Sequence, residues 1–579
     1  MSSFFEKLFS SSKKVSGDKA LPPEETVKIA EQRLLSSGFK ICKGLKRVDK
    51  GRLGIPVFLS IYDIDGQRIT GKYKQMGKGT TEAFARASAL MEMVERFSLF
   101  SFFLEVPEKG IFSTFEKLQD KAMNFETFLH SVESSDGKEK KYAENFLKKI
   151  KFYFVPGINL FEKKEKFLPF HWFWHLYEYN GSSAGNTYPE AGVQGLCEVI
   201  ERHVSALSVI HPEGLSTIKR DSIKGEPEEL LKKFENLNIS VWIRDMTFDM
   251  PVPTIGVMAM DPSTYPERSE IVYTAGTATS PQRALIRALT EVAQLAGDFD
   301  TEGKYQESGL PKFETLKDAE HIINTKKEVS LEDLPDISNE DHVVELSSIA
   351  EKLKTKGMEV FIIDITHPLL QIPAVYVIIP GALFRERTFI PLFYQTVRTI
   401  FPYYSRDELE ELIKEISESI GERYYLWAYL GNAYKREEKY EEAERCYKKA
   451  LEFEIPSADR VAICSQLGDV YLKKEEPEKA MEVVEEALAL EENPELYNIL
   501  GRAYYKMKDY PRAMEAFLKA TELNPASAID YANVGYCLKA MNMIPAAEIF
   551  FRKALVLDPE LTSARKGLEY CQSILNTRN

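Results

Sequence analysis

Three segments set acidic side chains on one helical face beside a basic or amide partner. In Ser88-Ala-Leu-Met-Glu92-Met-Val-Glu95-Arg96, a period of 3.6 residues puts Ser88, Glu92, Glu95 and Arg96 on one side. The stretch 190–202 ends the same way, with Glu198, Glu201 and Arg202. A third, Arg287-x-x-x-Glu291-x-x-Gln294-x-x-x-Asp298, steps by four, three and four, and the spacing predicts one continuous face. Carboxylates gathered in one place repel and raise each other's pKa unless a cation lies among them. Mg2+ suits that role, because it takes oxygen ligands and is commonly held by a few carboxylates together with nucleotide phosphates. The arginines would fix the glutamates by bidentate pairing or grip phosphate oxygens.

The competing reading is a helix surface laced with solvated Glu–Arg pairs. Against it stand the residues between the charges: Ala89, Leu90, Met91, Val94 and Phe97 in one helix, and Leu196, Val199 and Ile200 in the other, predict buried helix backs and hence a shared cavity. A Gly-containing turn precedes each of these two helices, at 77–81 and 180–186, of the kind that lets backbone N–H groups approach phosphate. No Cys–His or Ser–His–Asp constellation competes for catalysis. His171, His175, His203 and His211 lie among aromatic or apolar residues and read as structural.

The elements that must position these helices are strand-like runs at 241–243, 254–259, 360–364 and 374–379, which predict an α+β core with a helical site wall. The Lys-, Glu- and Asp-rich stretch 304–341 reads as a surface excursion, or alternatively a substrate-gating loop, and residues 1–17, rich in Ser and Lys, as disordered. At 579 residues the chain exceeds a single core. Its net charge of −14 disfavours broad nucleic-acid binding. Six cysteines without a Cys-x-x-Cys pair read as buried thiols of a reducing compartment, and the absence of a long apolar run or secretory signal predicts a cytoplasmic protein off the membrane.

At these residues the sequence resembles the YcaO family, ATP-dependent enzymes that activate a peptide backbone amide. The resemblance covers roughly the first 400 residues: the Gly-Lys-Gly turn, both Glu-x-x-Glu-Arg helices, the Ala-Gly-Asn turn with Glu190 four residues on, and Arg-Ala-Leu-Thr-Glu-Val-Ala-Gln at 287–294. It implies ATP and Mg2+ as cofactors, with Glu92, Glu95, Glu190, Glu198 and Glu201 as metal ligands. It further implies Lys19, Thr26, Ser88, Arg96, Asn186, Gln294 and Asp298 as nucleotide contacts, and Glu95, Glu201 and Arg202 as the catalytic set. Many members carry an Arg two residues after the Gln matched by Gln294; Ala296 stands there in this chain.

The resemblance implies attack of a nucleophile on a backbone carbonyl, transfer of the ATP terminal phosphoryl group to the oxyanion, and departure of phosphate with the amide oxygen. A sulfide nucleophile gives a thioamide, which implies a sulfur-delivery or TfuA-like partner; a substrate side chain gives an azoline. Azoline-forming members commonly end in a Pro-rich tail, whereas this chain ends Ser-Ile-Leu-Asn-Thr-Arg-Asn, so thioamidation or a related sulfur insertion is the expected outcome. Further readings are an accessory factor for ribosomal-protein methylthiolation and a non-catalytic nucleotide-binding scaffold. The family's dimers extend the expectation to a homodimer.

The rest of the chain is repetitive. Gly431, Gly468, Gly501 and Gly535 recur at spacings of 37, 33 and 34, and Ala443, Ala480, Ala513 and Ala547 keep the same intervals. With Trp427-x-x-Leu-Gly431-x-x-Tyr434 opening the first unit and Pro456, Pro494, Pro525 and Pro559 closing them, the period resembles the tetratricopeptide repeat. The expected organisation is a YcaO-like ATP/Mg-binding domain at 18–404, a helical connector at 405–420 capped by Ser405, and an all-α repeat superhelix at 421–579 with a closing helix at 562–576. The repeats would bind a peptide or protein, the substrate or a partner.

Overall fold

The computed structural model describes residues 3–132, 137–300, 309–384, 390–524 and 527–576, without the side chains of 137–139. The chain divides into two compact units, 1–392 and 393–579.

The first unit is α+β and carries three sheets. One is a three-stranded antiparallel sheet ordered Cys42–Arg47, Val57–Tyr62, Lys74–Lys78. The second runs Val272–Thr277, Thr254–Met260, Ser240–Asp245, Ser216–Ile218 and Glu328–Val329, with only the last pair parallel. The third runs Ile111–Ser113, Phe152–Asn159, Phe361–Asp364, Ala374–Ile378 and Ser182–Ala184, with Lys164–Pro169 paired to Phe152–Asn159. Antiparallel pairing allows helices to segregate to one face, and here each of the three long helices follows the terminal strand of a different sheet. Glu82–Lys109 follows Lys74–Lys78, Tyr188–Ile210 follows Ser182–Ala184, and Pro281–Ala296 follows Val272–Thr277.

Each helix packs on its own strand and also on the terminal strand of the next sheet. Glu82–Lys109 meets Ser182–Ala184, Tyr188–Ile210 meets Val272–Thr277, and Pro281–Ala296 meets Lys74–Lys78, which closes a ring of three strand–helix pairs. Two glycines make the closest of these approaches possible: a Cβ on Gly77 would collide with the backbone of Ala89, and one on Gly276 with the backbone at Ala284 and Ala288.

Two sequence expectations are corrected here. Residues 3–17 are not disordered: Ser3–Leu8 is helical, Leu8 is fully buried, and Ser12 is buried against Asp341 and Thr187. Local composition missed this because the partners lie far along the chain. The stretch 304–341 is not a surface excursion either, over its described part from 309 on. Leu310, Phe313, Ala319, Ile322 and Leu331 are buried, and Glu328–Val329 extends a sheet; the charged residues between them hid an apolar set with no regular period. Met1, Ser2 and residues 304–308 lie outside the described residues.

The second unit begins at Phe393, ahead of the expected connector, and is all helical. Arg406–Ile420 starts on a capping box between Ser405 and Glu408 and buries Leu409 and Ile416 within this unit, so it is part of the helical stack. Four helix pairs follow, from Tyr424–Arg436 with Tyr440–Leu451 to Ala528–Ala540 with Ile544–Leu557, and then the closing helix Thr562–Asn576. The repeating glycines are explained by contact: a Cβ at Gly431, Gly468, Gly501 or Gly535 would come within 2.7–2.8 Å of Tyr447, Val484, Phe517 or Phe551 on the paired helix. Pro456 and Pro494 stand at the starts of the helices that follow, where a missing N–H costs nothing, and do not break the preceding ones. Pro525 lies outside the described residues.

Candidate functional site

The ring surrounds a polar cleft of about 1410 Å3. Helix starts set its register. Thr81, Thr187 and Ser280 cap the three helices, each accepting an N–H three residues on. Counted from these caps, Ser88, Gln194 and Arg287 stand at position seven, Glu92, Glu198 and Glu291 at eleven, and Glu95, Glu201 and Gln294 at fourteen. All nine line the cleft. Position fifteen is Arg96, Arg202 and Leu295, so the third corner alone lacks the arginine.

Each corner is joined to the next. Glu95 accepts the Ser182 hydroxyl at 2.6 Å, and Arg96 donates to Glu95 at 2.6 Å, to the Ser182 oxygen at 2.9 Å and to the Tyr179 carbonyl at 3.2 Å while lying over the Tyr179 ring. Glu201 accepts the Thr277 N–H at 3.0 Å. Arg202 donates to Asn180 at 3.1 Å and sits 3.8 Å from Glu201 and 4.0 Å from Glu198, whose other oxygen accepts the Gly181 N–H at 3.2 Å. The third corner closes through Lys78 of the Gly-Lys-Gly turn, which pairs with Glu291. Among the residues expected as nucleotide contacts, Asn186 donates to Glu190, the Thr26 hydroxyl donates to Asn186 at 3.0 Å, and Lys19 lies 3.8 Å from Glu190, which also accepts the Ala20 N–H at 3.0 Å.

Thus Lys19, Thr26, Ser88, Glu92, Glu95, Arg96, Asn186, Glu190, Glu198, Glu201, Arg202 and Gln294 all face one cleft. Asp298 does not. Gly297 ends the third helix in the left-handed conformation, and Asp298, itself at φ 63°, turns away to accept the backbone N–H groups of Lys50, Arg52 and Leu53. Its spacing from Gln294 is helical but the helix has already stopped. Gln194 carries no role in the sequence analysis, and Lys78, Arg287 and Glu291 stand there without one; the shared register from the three caps is the signal that finds Gln194, Arg287 and Glu291, whereas Lys78 shows only through its pairing with Glu291. Arg287 bridges Asp18 at 3.1 Å, Gln194 and the Thr277 carbonyl at 3.0 Å.

The electrostatics fit a cation. Burial raises the pKa of Glu92, Glu95 and Glu201. Arg96 opposes the rise at Glu92 and Glu95 while Glu198 adds to it; at Glu201, Arg202 opposes and Glu291 adds. Among the described residues no three His, Cys, Asp or Glu side chains are gathered into a complete metal site. Mg2+ is commonly held by one or two carboxylates with nucleotide phosphate oxygens completing its shell. Of the four histidines expected to be structural, His171 and His203 are buried, burial lowering them to about 3 and about 4, and His203 Nδ1 accepts the Leu383 N–H at 3.0 Å; His211 is instead exposed beside Glu213.

An α+β core in which three helices bring glutamates and arginines to one cleft suits a nucleotide and a metal ion, and comparison with known families makes this specific. Residues 76–383 match the family described as YcaO cyclodehydratase, ATP- and Mg2+-binding, so the chain belongs to the YcaO family and its cofactors are ATP and Mg2+. Residues 424–454, 461–494 and 494–527 match tetratricopeptide repeats. An uncharacterized protein of Methanothermobacter thermautotrophicus is 28% identical over 62% of this chain and 94% of its own length. An uncharacterized protein in the tfuA 3' region of Rhizobium leguminosarum bv. trifolii is 26% identical over 35% of this chain and 51% of its own. Among solved structures, a heterocyclase in complex with substrate and cofactor matches at a TM-score of 0.54 and 23% identity, over 68% of this chain and 56% of that one, a likeness of fold. No helix among the described residues is long and apolar enough to cross a membrane.

Proposed function

We propose that the three-helix cleft activates a backbone amide of a peptide or protein by ATP-dependent O-phosphorylation, leading to a thioamide or a related sulfur insertion. The observation that carries the reading is the convergence of carboxylates and arginines from three separate helices on one cleft. In this reading Glu92, Glu95, Glu190, Glu198 and Glu201 hold Mg2+, whose charge would offset that of the phosphates. Arg96 and Arg202 grip phosphate oxygens, and Glu95, Glu201 and Arg202 are the residues on which turnover depends. Lys19, Thr26, Ser88, Asn186 and Gln294 orient the nucleotide.

Hydrosulfide adds to the carbonyl carbon, the oxyanion takes the terminal phosphoryl group of ATP, and ADP leaves. Loss of phosphate and a proton then carries away the amide oxygen and leaves C=S. The residues supply alignment and charge neutralisation, which dominate phosphoryl transfer. The repeats recruit the substrate or a partner. The Rhizobium relative lies in the tfuA 3' region, which supports a TfuA-like partner, to which this reading gives sulfur delivery.

The test measures phosphate release by wild type and by Glu95→Ala and Glu201→Ala, with mass analysis of the peptide. Exchange of oxygen for sulfur is expected. Loss of water from the peptide would move the reading to azoline formation, and a wild type without ATP turnover would leave a scaffold.

A further inference from the structure

We propose that residues 3–20 form a strap latched by Asp341 and His342, and that this latch is a positioning device for the nucleotide side of the cleft. The inference rests on the phosphoryl-transfer reading above. The strap reaches the cleft at its far end: Asp18 pairs with Arg287, Lys19 lies beside Glu190, and the Ala20 N–H donates to Glu190. Burial pushes the Asp18 carboxyl up, but Lys19, Arg287 and Arg283 together hold it well below the usual range, so it remains an anion aimed at the cleft arginine.

A turn between Ser16 and Lys19 holds this end locally. The strap is held as well from behind, at the start of the helix His342–Thr355. The Asp341 carboxylate accepts the Ser12 N–H at 2.9 Å and the Ser11 hydroxyl while capping its own helix through the Val343 N–H. Buried His342 spans the strap, with Nδ1 at 2.9 Å from the Ser12 carbonyl oxygen and Nε2 at 2.9 Å from that of Asp18. Ser12 Oγ in turn lies 2.6 Å from Thr187 Oγ1, the hydroxyl that caps the second glutamate helix. One turn further along, buried Glu345 binds Lys14 of the strap and the Thr279 hydroxyl beside the cap of the third helix. The latch therefore ties the strap, the starts of two of the three cleft helices and the cleft residue Asp18 into one hydrogen-bonded unit. Such a unit can be over-determined only when every member is in place.

The double variant Ser11→Ala/Ser12→Ala removes hydroxyls that touch Asp341, Thr187 and His342 and none that touches the cleft. Affinity for Mg2+ with a non-hydrolysable ATP analogue should fall about five- to tenfold, the equivalent of one or two lost hydrogen bonds. KM for ATP should rise with little change in kcat, a split that general loss of folded protein would not give. In wild type the analogue should slow tryptic cleavage after Lys13 and Lys14, and the double variant should lose that protection. Ser10→Ala serves as the control, since Ser10 Oγ donates to the Glu6 and Lys7 carbonyls of the preceding helix, and should behave as wild type. Unchanged affinity and protection in the double variant, with wild type binding the analogue, would overturn the latch alone. A wild type that fails to bind the analogue would overturn the phosphoryl reading and, with it, the positioning role.

Discussion

Glu95 in the cleft and Glu444 in the repeats have side chains almost equally exposed, at 13% and 12%, yet their acidities move in opposite directions. Burial pushes both up. At Glu444, hydrogen bonds from Lys448 and Lys474 overcome it and bring the carboxyl down to about 2. At Glu95, Arg96 is opposed by Glu198 and Glu92, and the net effect stays upward. Asp469 follows Glu444, held low by Lys435 and Arg502 in a ladder between neighbouring repeats. Charge in the repeats is thus neutralised within the chain, which makes it part of the stack. Charge in the cleft is left partly uncompensated, as the proposed Mg2+ site requires. Similar side-chain exposure therefore hides two different settings: Glu95 lies deep in the fold with its burial only partly offset, whereas Glu444 lies near the surface with two lysines bonded to it.

The sharpest way to break this contrast is to remove one carboxylate charge from each region. Glu95→Gln should lower ATP turnover at least a hundredfold, about 3 kcal/mol of transition-state stabilisation, while the metal-free protein melts at the same temperature or higher because a strained anion has gone. Glu444→Gln should leave turnover intact and lower the melting temperature, at a cost of about 1 kcal/mol. If both variants lost activity, or both lost stability, the distinction would fail.

Gly77→Ala probes the ring rather than its charges. The added methyl meets the Ala89 backbone, so destabilisation of about 1–3 kcal/mol is expected by chemical denaturation, with loss of nucleotide binding in whatever protein remains folded.

Titration gives a smaller but directional effect. Glu92, Glu95 and Glu201 have raised folded pKa values, so their contribution to stability in metal-free protein is full below the ordinary glutamate pKa and is lost as pH rises through the raised values. Glu444 does the reverse: its contribution is present above the ordinary value and disappears as pH falls toward about 2. Binding of Mg2+ with nucleotide should therefore tighten as pH rises and release protons, which calorimetry in buffers of different ionisation enthalpy would detect. The smallest effect is expected of Gln294→Ala, a severalfold rise in KM for ATP with stability unchanged, against Asp298→Ala, which should reduce stability because three backbone N–H groups lose their acceptor.

The repeat unit was legible almost entirely in the sequence, because each Gly and the side chain it meets lie within one helix pair and recur at a period near 34. The first two acidic corners were legible for the same local reason: Glu92, Glu95 and Arg96, and Glu198, Glu201 and Arg202, are each set by one helix. Asp298 was misread because a helical spacing says nothing about where the helix stops, and Gly297 stops it. Residues 3–17 were misread because Ser12 finds Asp341 and Thr187 only across the fold.

By itself the sequence determined which side chains share a helical face, since that depends on a fixed turn of backbone. Only the tertiary structure decided that three such faces close into a ring, that Lys78 answers Glu291 and Ser182 answers Glu95, and that the strap reaches Arg287. Those pairings join distant parts of the chain, and packing among sheets, not local periodicity, sets their geometry.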